Sequence, residues 1–279
     1  MTAAEGFRAR LAASAARRRS WLCLGLDPEW GRLSPDLRAL GPAEALYRFS
    51  RDAIDATADA VSSVKPQSAF FEEHGAEGFD ALRRVIAHAR SKGLPVILDA
   101  KRGDIGNTAK AYARAAFDHL GADAVTVNPY MGRDSVDPFA AYAEKGVFVL
   151  CRTSNPAGDA LQGLALAEGG RLFERTARLV AEWDARGNLG VVVGATYPDE
   201  LARVRALLGE DAPILVPGVG AQGGSPADAL KGANARGANA LVVAARAILY
   251  AGAGSPADQK AAAHALRDAL ASASKGHQA

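Results

Sequence analysis

Short apolar runs of β-type composition recur along the chain, at WLCLGL (21–26), VSSVK (61–65), PVILDAK (95–101), DAVTVN (123–128), GVFVLC (146–151), GVVVGA (190–195), APILVPG (212–218) and ALVVAA (240–245). Each is short and nearly continuous in apolar character, the pattern of a strand covered on both faces. Between them lie stretches such as 77–93, 106–121 and 170–187, where apolar residues return at three- and four-residue spacing. That spacing predicts helices with one buried stripe. Eight strands alternating with helices predict a parallel sheet closed into a (β/α)8 barrel, with an open doubly wound sheet as the alternative. No Ser-, Gly- or Pro-rich linker interrupts the alternation, so 1–279 reads as one domain, and 1–20 as a short lead-in helix.

Composition narrows the function classes. The chain has 279 residues, 49% hydrophobic and 23% charged, which suits a globular protein with a full core. A formal charge of +2 gives no surface built to neutralise nucleic acid, so any bound anion is expected to be small. There is no apolar run of about 18 residues, so no membrane span is expected. Cys23 and Cys151, each in an apolar stretch, fit buried reduced thiols in a cytoplasmic protein better than a disulfide framework or zinc site. Arg8, Arg10, Arg17, Arg18 and Arg19 against Glu5 superficially resemble a transit peptide, but a core strand follows with no removable spacer.

A barrel places its chemistry at the C-terminal ends of the strands. Polar residues fall there: Asp27, Lys65, Asp99 and Lys101, Asn128, Arg152 to Ser154, Gln222 and Arg246. Asp99 and Lys101 are two apart, so strand alternation turns both to one face, and Asp104 follows in the loop. With Lys65 from the neighbouring strand they make an alternating Lys, Asp, Lys, Asp array whose members hold one another ionised. A buried salt-bridge network that only fixes the loop is the plainer alternative. PGVGAQGG (217–224) contains a GxGxxG arrangement at Gly218, Gly220 and Gly223, but it does not open a first βαβ unit, and Leu241 to Val243 stand where a ribose-binding acid is due. Glycines after the seventh strand and Arg246 after the eighth instead fit the phosphate site common in barrels.

Taken together, LDAKRGDIGNTAKAY (98–112), VKPQSAFFEEHG (64–75), NPYMGRDS (128–135), CRTSNP (151–156) and PGVGAQGG resemble the orotidine 5′-phosphate decarboxylase family, most closely its longer bacterial branch. The resemblance spans most of the chain. It implies conversion of orotidine 5′-monophosphate to uridine 5′-monophosphate and carbon dioxide, with no cofactor and no metal. Lys101 matches the proton donor, and Lys65, Asp99 and Asp104 complete the charged tetrad. Asp27 matches the ribose contact and Ser154 the base-reading serine; Gln222, Gly223 and Arg246 match the phosphate site. The resemblance also implies a homodimer in which Asp104, Ile105 and Thr108 reach the partner's active site. One departure is visible: Ala245 precedes Arg246, where relatives often carry Gly. Two other readings stay open, a magnesium-dependent sugar-phosphate decarboxylase or aldolase on a related barrel, and a non-catalytic nucleotide-binding barrel.

Overall fold

The computed structural model describes residues 6–219, 223–252 and 254–277. Among them, eight parallel strands form one sheet: β1 Leu22–Leu26, β2 Ser63–Pro66, β3 Ile97–Arg102, β4 Ala124–Val127, β5 Gly146–Arg152, β6 Leu189–Val193, β7 Ile214–Val216 and β8 Ala240–Ala244. The sheet runs in the order β2-β1-β8-β7-β6-β5-β4-β3. Its two end strands are joined by the parallel bridges Val64↔Val96 and Gln67↔Asp99, which close the barrel. The doubly wound alternative is thereby excluded.

The near-continuous apolar runs follow from two separate cores. Outward residues such as Leu24, Val64, Leu98, Val125 and Val149 pack under the surrounding helices, among them Pro42–Thr57, Gly75–Ser91 and Leu172–Trp183. Inward residues Cys23, Ile97, Ala124, Phe148, Val192, Leu215, Leu241 and Val243 fill the barrel. A strand buried on both faces has no polar side to alternate with.

The helix Phe7–Arg18 is more than a lead-in. Its apolar positions Phe7, Leu11 and Ala15 recur every fourth residue and are buried, and Arg17 and Arg18 lie at its C-terminal end, where cations suit the helix dipole. Phe7 and Leu11 belong to the inner core, so this helix plugs the N-terminal end of the barrel. Phe7 stands edge-on to Phe148, with ring centroids 5.9 Å apart. Gly146 makes that approach possible, since a Cβ there would lie 2.3 Å from Phe7 Cδ1. Buried Ser14 adds a hydrogen bond from its hydroxyl to the Ser62 carbonyl at 2.6 Å.

Candidate active site

At the opposite end the strand termini surround a cavity of about 360 Å³, within the range of small-molecule sites, lined among others by Asp27, Lys65, Asp99, Lys101, Ser154 and Arg246. Asp99 is its electrostatic centre. One carboxylate oxygen accepts from Lys65 Nζ at 2.8 Å and Gln67 Nε2 at 3.2 Å. The other accepts from Lys101 Nζ at 2.7 Å and Thr126 Oγ1 at 2.9 Å. Burial alone would raise the pKa of Asp99, but the two ammonium groups prevail and hold it well below the usual carboxylate range. Lys65 is buried too, and burial favours its neutral form; Asp99 and Asp27 more than offset this and keep its pKa above the ordinary value. The pair is therefore a fixed ion pair. Lys101 differs, with its side chain 44% exposed beside a carboxylate that is almost fully covered.

Strand alternation is not what brings Asp99 and Lys101 together. The β3–β4 register slips between Leu98 and Arg102, and Lys101 adopts a left-handed φ of 44°. Such a backbone is strained for a residue with a Cβ and needs outside support. Thr126 supplies it. Its hydroxyl oxygen accepts the N–H groups of Ala100 at 3.1 Å and Lys101 at 2.9 Å while its proton goes to Asp99. One side chain thus fixes both the twisted backbone and the carboxylate.

The other predicted residues divide into three groups. Asp27, Ser154 and Arg246 line the same cavity. Burial raises the pKa of Asp27, against the pull of Lys65, and its Oδ1 is covered without a hydrogen-bond partner. Gly223 lies at the start of the described part of its loop with φ 93°, and Gly218, also at positive φ, accepts the Gly224 N–H through its carbonyl at 3.1 Å. Gln222 lies outside the described residues. Asp104 and Thr108 are not brought into the cluster: Asp104 accepts the neighbouring Ile105 N–H at 2.8 Å, and Thr108 is exposed on the helix Gly106–Arg114. The coupled array within one chain is therefore Lys65, Asp99 and Lys101, without Asp104.

Ala245 finds its room in β1, because a Cβ on Gly25 would lie only 2.6 Å from Ala245 Cβ. The extra methyl is accommodated by a glycine on the adjoining strand. Sequence reasoning passed over three supporting residues. Thr126 carried a usable signal: it is the polar residue two places beyond inward-facing Ala124, so it faces the barrel. Gln67 sat in a quoted motif without a role. Tyr250 had no local signal at all. Its hydroxyl accepts from Glu29 N at 2.8 Å and donates to the Asp27 carbonyl at 3.0 Å, tying the loop after β8 to the loop after β1.

Comparison with known proteins bears on this geometry. The profile described as "Orotidine 5'-phosphate decarboxylase / HUMPS family" matches residues 20–264. The chain is 54% identical over 270 residues to an orotidine 5′-phosphate decarboxylase of Azoarcus sp. (strain BH72), covering 95% of this chain and 98% of that one. It is 50% identical over 257 residues to the enzyme of the same name from Bordetella pertussis, covering 90% and 93%. Among solved structures, the OMP decarboxylase of Leishmania donovani superposes with a TM-score of 0.85 at 40% identity, over 97% of this chain and 99% of that one. A shared profile over most of the length, and relatives at half identity or better, lead to one conclusion: the chain belongs to the orotidine 5′-phosphate decarboxylase / HUMPS family.

Proposed function

We propose that the chain converts orotidine 5′-monophosphate to uridine 5′-monophosphate and carbon dioxide, the last step of pyrimidine nucleotide synthesis, using its own side chains. The observation that carries this reading is the contrast between two lysines on one carboxylate, Lys65 buried and Lys101 open to the cavity. Orotate has no electron sink for a departing carboxylate. When the bond from C6 to the carboxyl carbon breaks, the electron pair stays on C6 in the ring plane. The Lys101 ammonium meets that charge as it develops and then transfers a proton to C6, leaving a neutral amine that regains its proton from solvent. Asp99, held ionised, stands beside the substrate carboxylate and keeps Lys101 in place, while Lys65 neutralises Asp99 from the far side. Asp27 is assigned to the ribose, Ser154 to the amide edge of the base, and Gln222, Gly223 and Arg246 to the phosphate. Binding of the unreactive phosphate supplies energy for ordering the site.

The same reading makes the working unit a homodimer, with Asp104 and Thr108 serving the partner's site. Support comes from large apolar side chains left in water: Ile105, next to Asp104, is 51% exposed, and Tyr130, after β4, is 79% exposed. Sedimentation velocity at micromolar concentration should give a dimer. The free, buried state of Cys23 and Cys151 supports a reducing, cytoplasmic setting.

A single assay tests the activity. The ultraviolet absorbance of orotidine 5′-monophosphate should change on adding the protein, at the same rate with and without a chelator. A rate abolished by the chelator would transfer the chain to the metal-dependent alternative, and binding without turnover to the non-catalytic one.

A further inference from the structure

Arg152 ends β5, two residues before Ser154, and its guanidinium is among the most deeply buried groups in the molecule, with 2% of its surface exposed. It does not line the cavity. Its Nη2 donates to Asp159 Oδ1 at 2.9 Å, and its Cζ lies 3.7 Å from the centre of the Tyr197 ring, on the loop after β6. Its Nε and Nη1 are covered and unpaired. A charge buried with two donors unused is costly, and a residue that serves only packing would be more stable as a hydrocarbon.

The surroundings indicate what that charge holds in place. The segment from Thr153 to Gln162 is tied at its base: Thr153 N donates to Gln162 Oε1 at 2.9 Å, and Gln162 Nε2 donates to Thr153 Oγ1 at 2.8 Å. On the other side it presses on the start of the loop after β6, where a Cβ at Gly194 would lie 2.7 Å from Ser154 Cα. Arg152 joins these two contacts. It fastens the loop to itself through Asp159 and to the β6 loop through Tyr197, with Ser154 between them. A planar guanidinium can pair in its plane and stack on its face at once, which an ammonium cannot.

We infer that Arg152 is a positioning residue that sets Ser154 against the pyrimidine, so that base recognition depends on the Arg152–Asp159–Tyr197 contact. The inference rests on the proposed base-reading role of Ser154. Asp159, itself exposed, is the safest place to test it. Binding of uridine 5′-monophosphate and of ribose 5-phosphate is measured by calorimetry for the wild type, Asp159→Asn, Ser154→Ala and the double variant, with Tm recorded for each. Asp159→Asn should weaken the nucleotide about tenfold, the scale of one misaligned hydrogen bond, and leave ribose 5-phosphate unchanged. Its effect should vanish in the Ser154→Ala background. Arg152→Lys, if it folds, should repeat the pattern. Equal weakening of both ligands, no weakening of the nucleotide, or additivity with Ser154→Ala overturns the inference while leaving the decarboxylase reading intact. A wild type that binds no uridine 5′-monophosphate overturns both.

Discussion

At the N-terminal end of the barrel, Phe7 and Leu11 close the interior with carbon, whereas at the other end the same strands carry Lys65, Asp99, Lys101 and Thr126 around a cavity. The changeover takes two residues, from Ile97 to Asp99 on β3 and from Ala124 to Thr126 on β4. The lower end gains stability from apolar burial, and its unpaired polar atoms, Arg8 Nε and Asn188 Oδ1, lie outside that apolar interior. The upper end carries a left-handed lysine, a covered carboxylate oxygen on Asp27 and an arginine with unused donors. Left-handed backbone also occurs at Arg19 and Asn239, but Lys101 is the one that lines the cavity, on a base that can bear the cost.

The comparison can be broken from either end. The largest expected effect is that of Lys101→Ala, which should lower kcat by at least about a thousandfold, as loss of both a charge and a proton donor does, while thermal unfolding changes little. Retention of substantial decarboxylation would require another proton donor. At the lower end, Phe7→Ala should cost about 3–5 kcal/mol of stability, the usual range for emptying a packed phenylalanine site, and leave kcat/KM unchanged below the lowered Tm. A matching loss of kcat/KM at 25 °C would mean that the two ends are not independent.

Smaller effects sharpen the contrast. Asp27→Asn should raise Tm by a few degrees while weakening substrate binding, because burial makes the ionised carboxylate costly. An unchanged or lowered Tm would show that its charge is well accommodated. The pH dependence of stability carries the same signs. Asp99, with its folded pKa depressed, contributes stability above its unfolded value of about 3.9 that is lost as pH falls through the folded value. Lys65, with its folded pKa raised, contributes stability below its unfolded value of about 10.4 that is lost as pH climbs through the folded value. Asp27 works the other way, and stability should fall as pH rises from about 4 through its elevated pKa. Guanidinium denaturation of the wild type and Asp27→Asn across pH 4–7 should show that decline in the wild type only.

The barrel was legible in the sequence because strands buried on both faces must be apolar throughout, and GVFVLC at 146–151 answers to β5 at Gly146–Arg152. The helix read over 106–121 is α-helical only to Arg114, after which Ala115–His119 continues as a π-helical turn, a change of hydrogen bonding that apolar spacing does not register. At the site, residue type and strand-end position were enough to bring Asp27, Lys65, Asp99, Lys101, Ser154 and Arg246 to one cavity. Alternation misjudged how Lys101 gets there, because the register slip depends on a hydroxyl from the next strand. Asp104, two residues beyond the end of β3, does not line the cavity of its own chain. Tyr250 and Arg152 act through partners far along the chain or in adjoining loops, which no local pattern encodes.

The carbon plug under the barrel has a consequence for proton traffic. Among the described residues, Phe7, Leu11, Ile97 and Phe148 separate Asp99 from the solvent below with apolar side chains. Under the proposed mechanism, the proton that Lys101 gives to the substrate is restored through the mouth of the cavity, so the site opens before Lys101 is recharged.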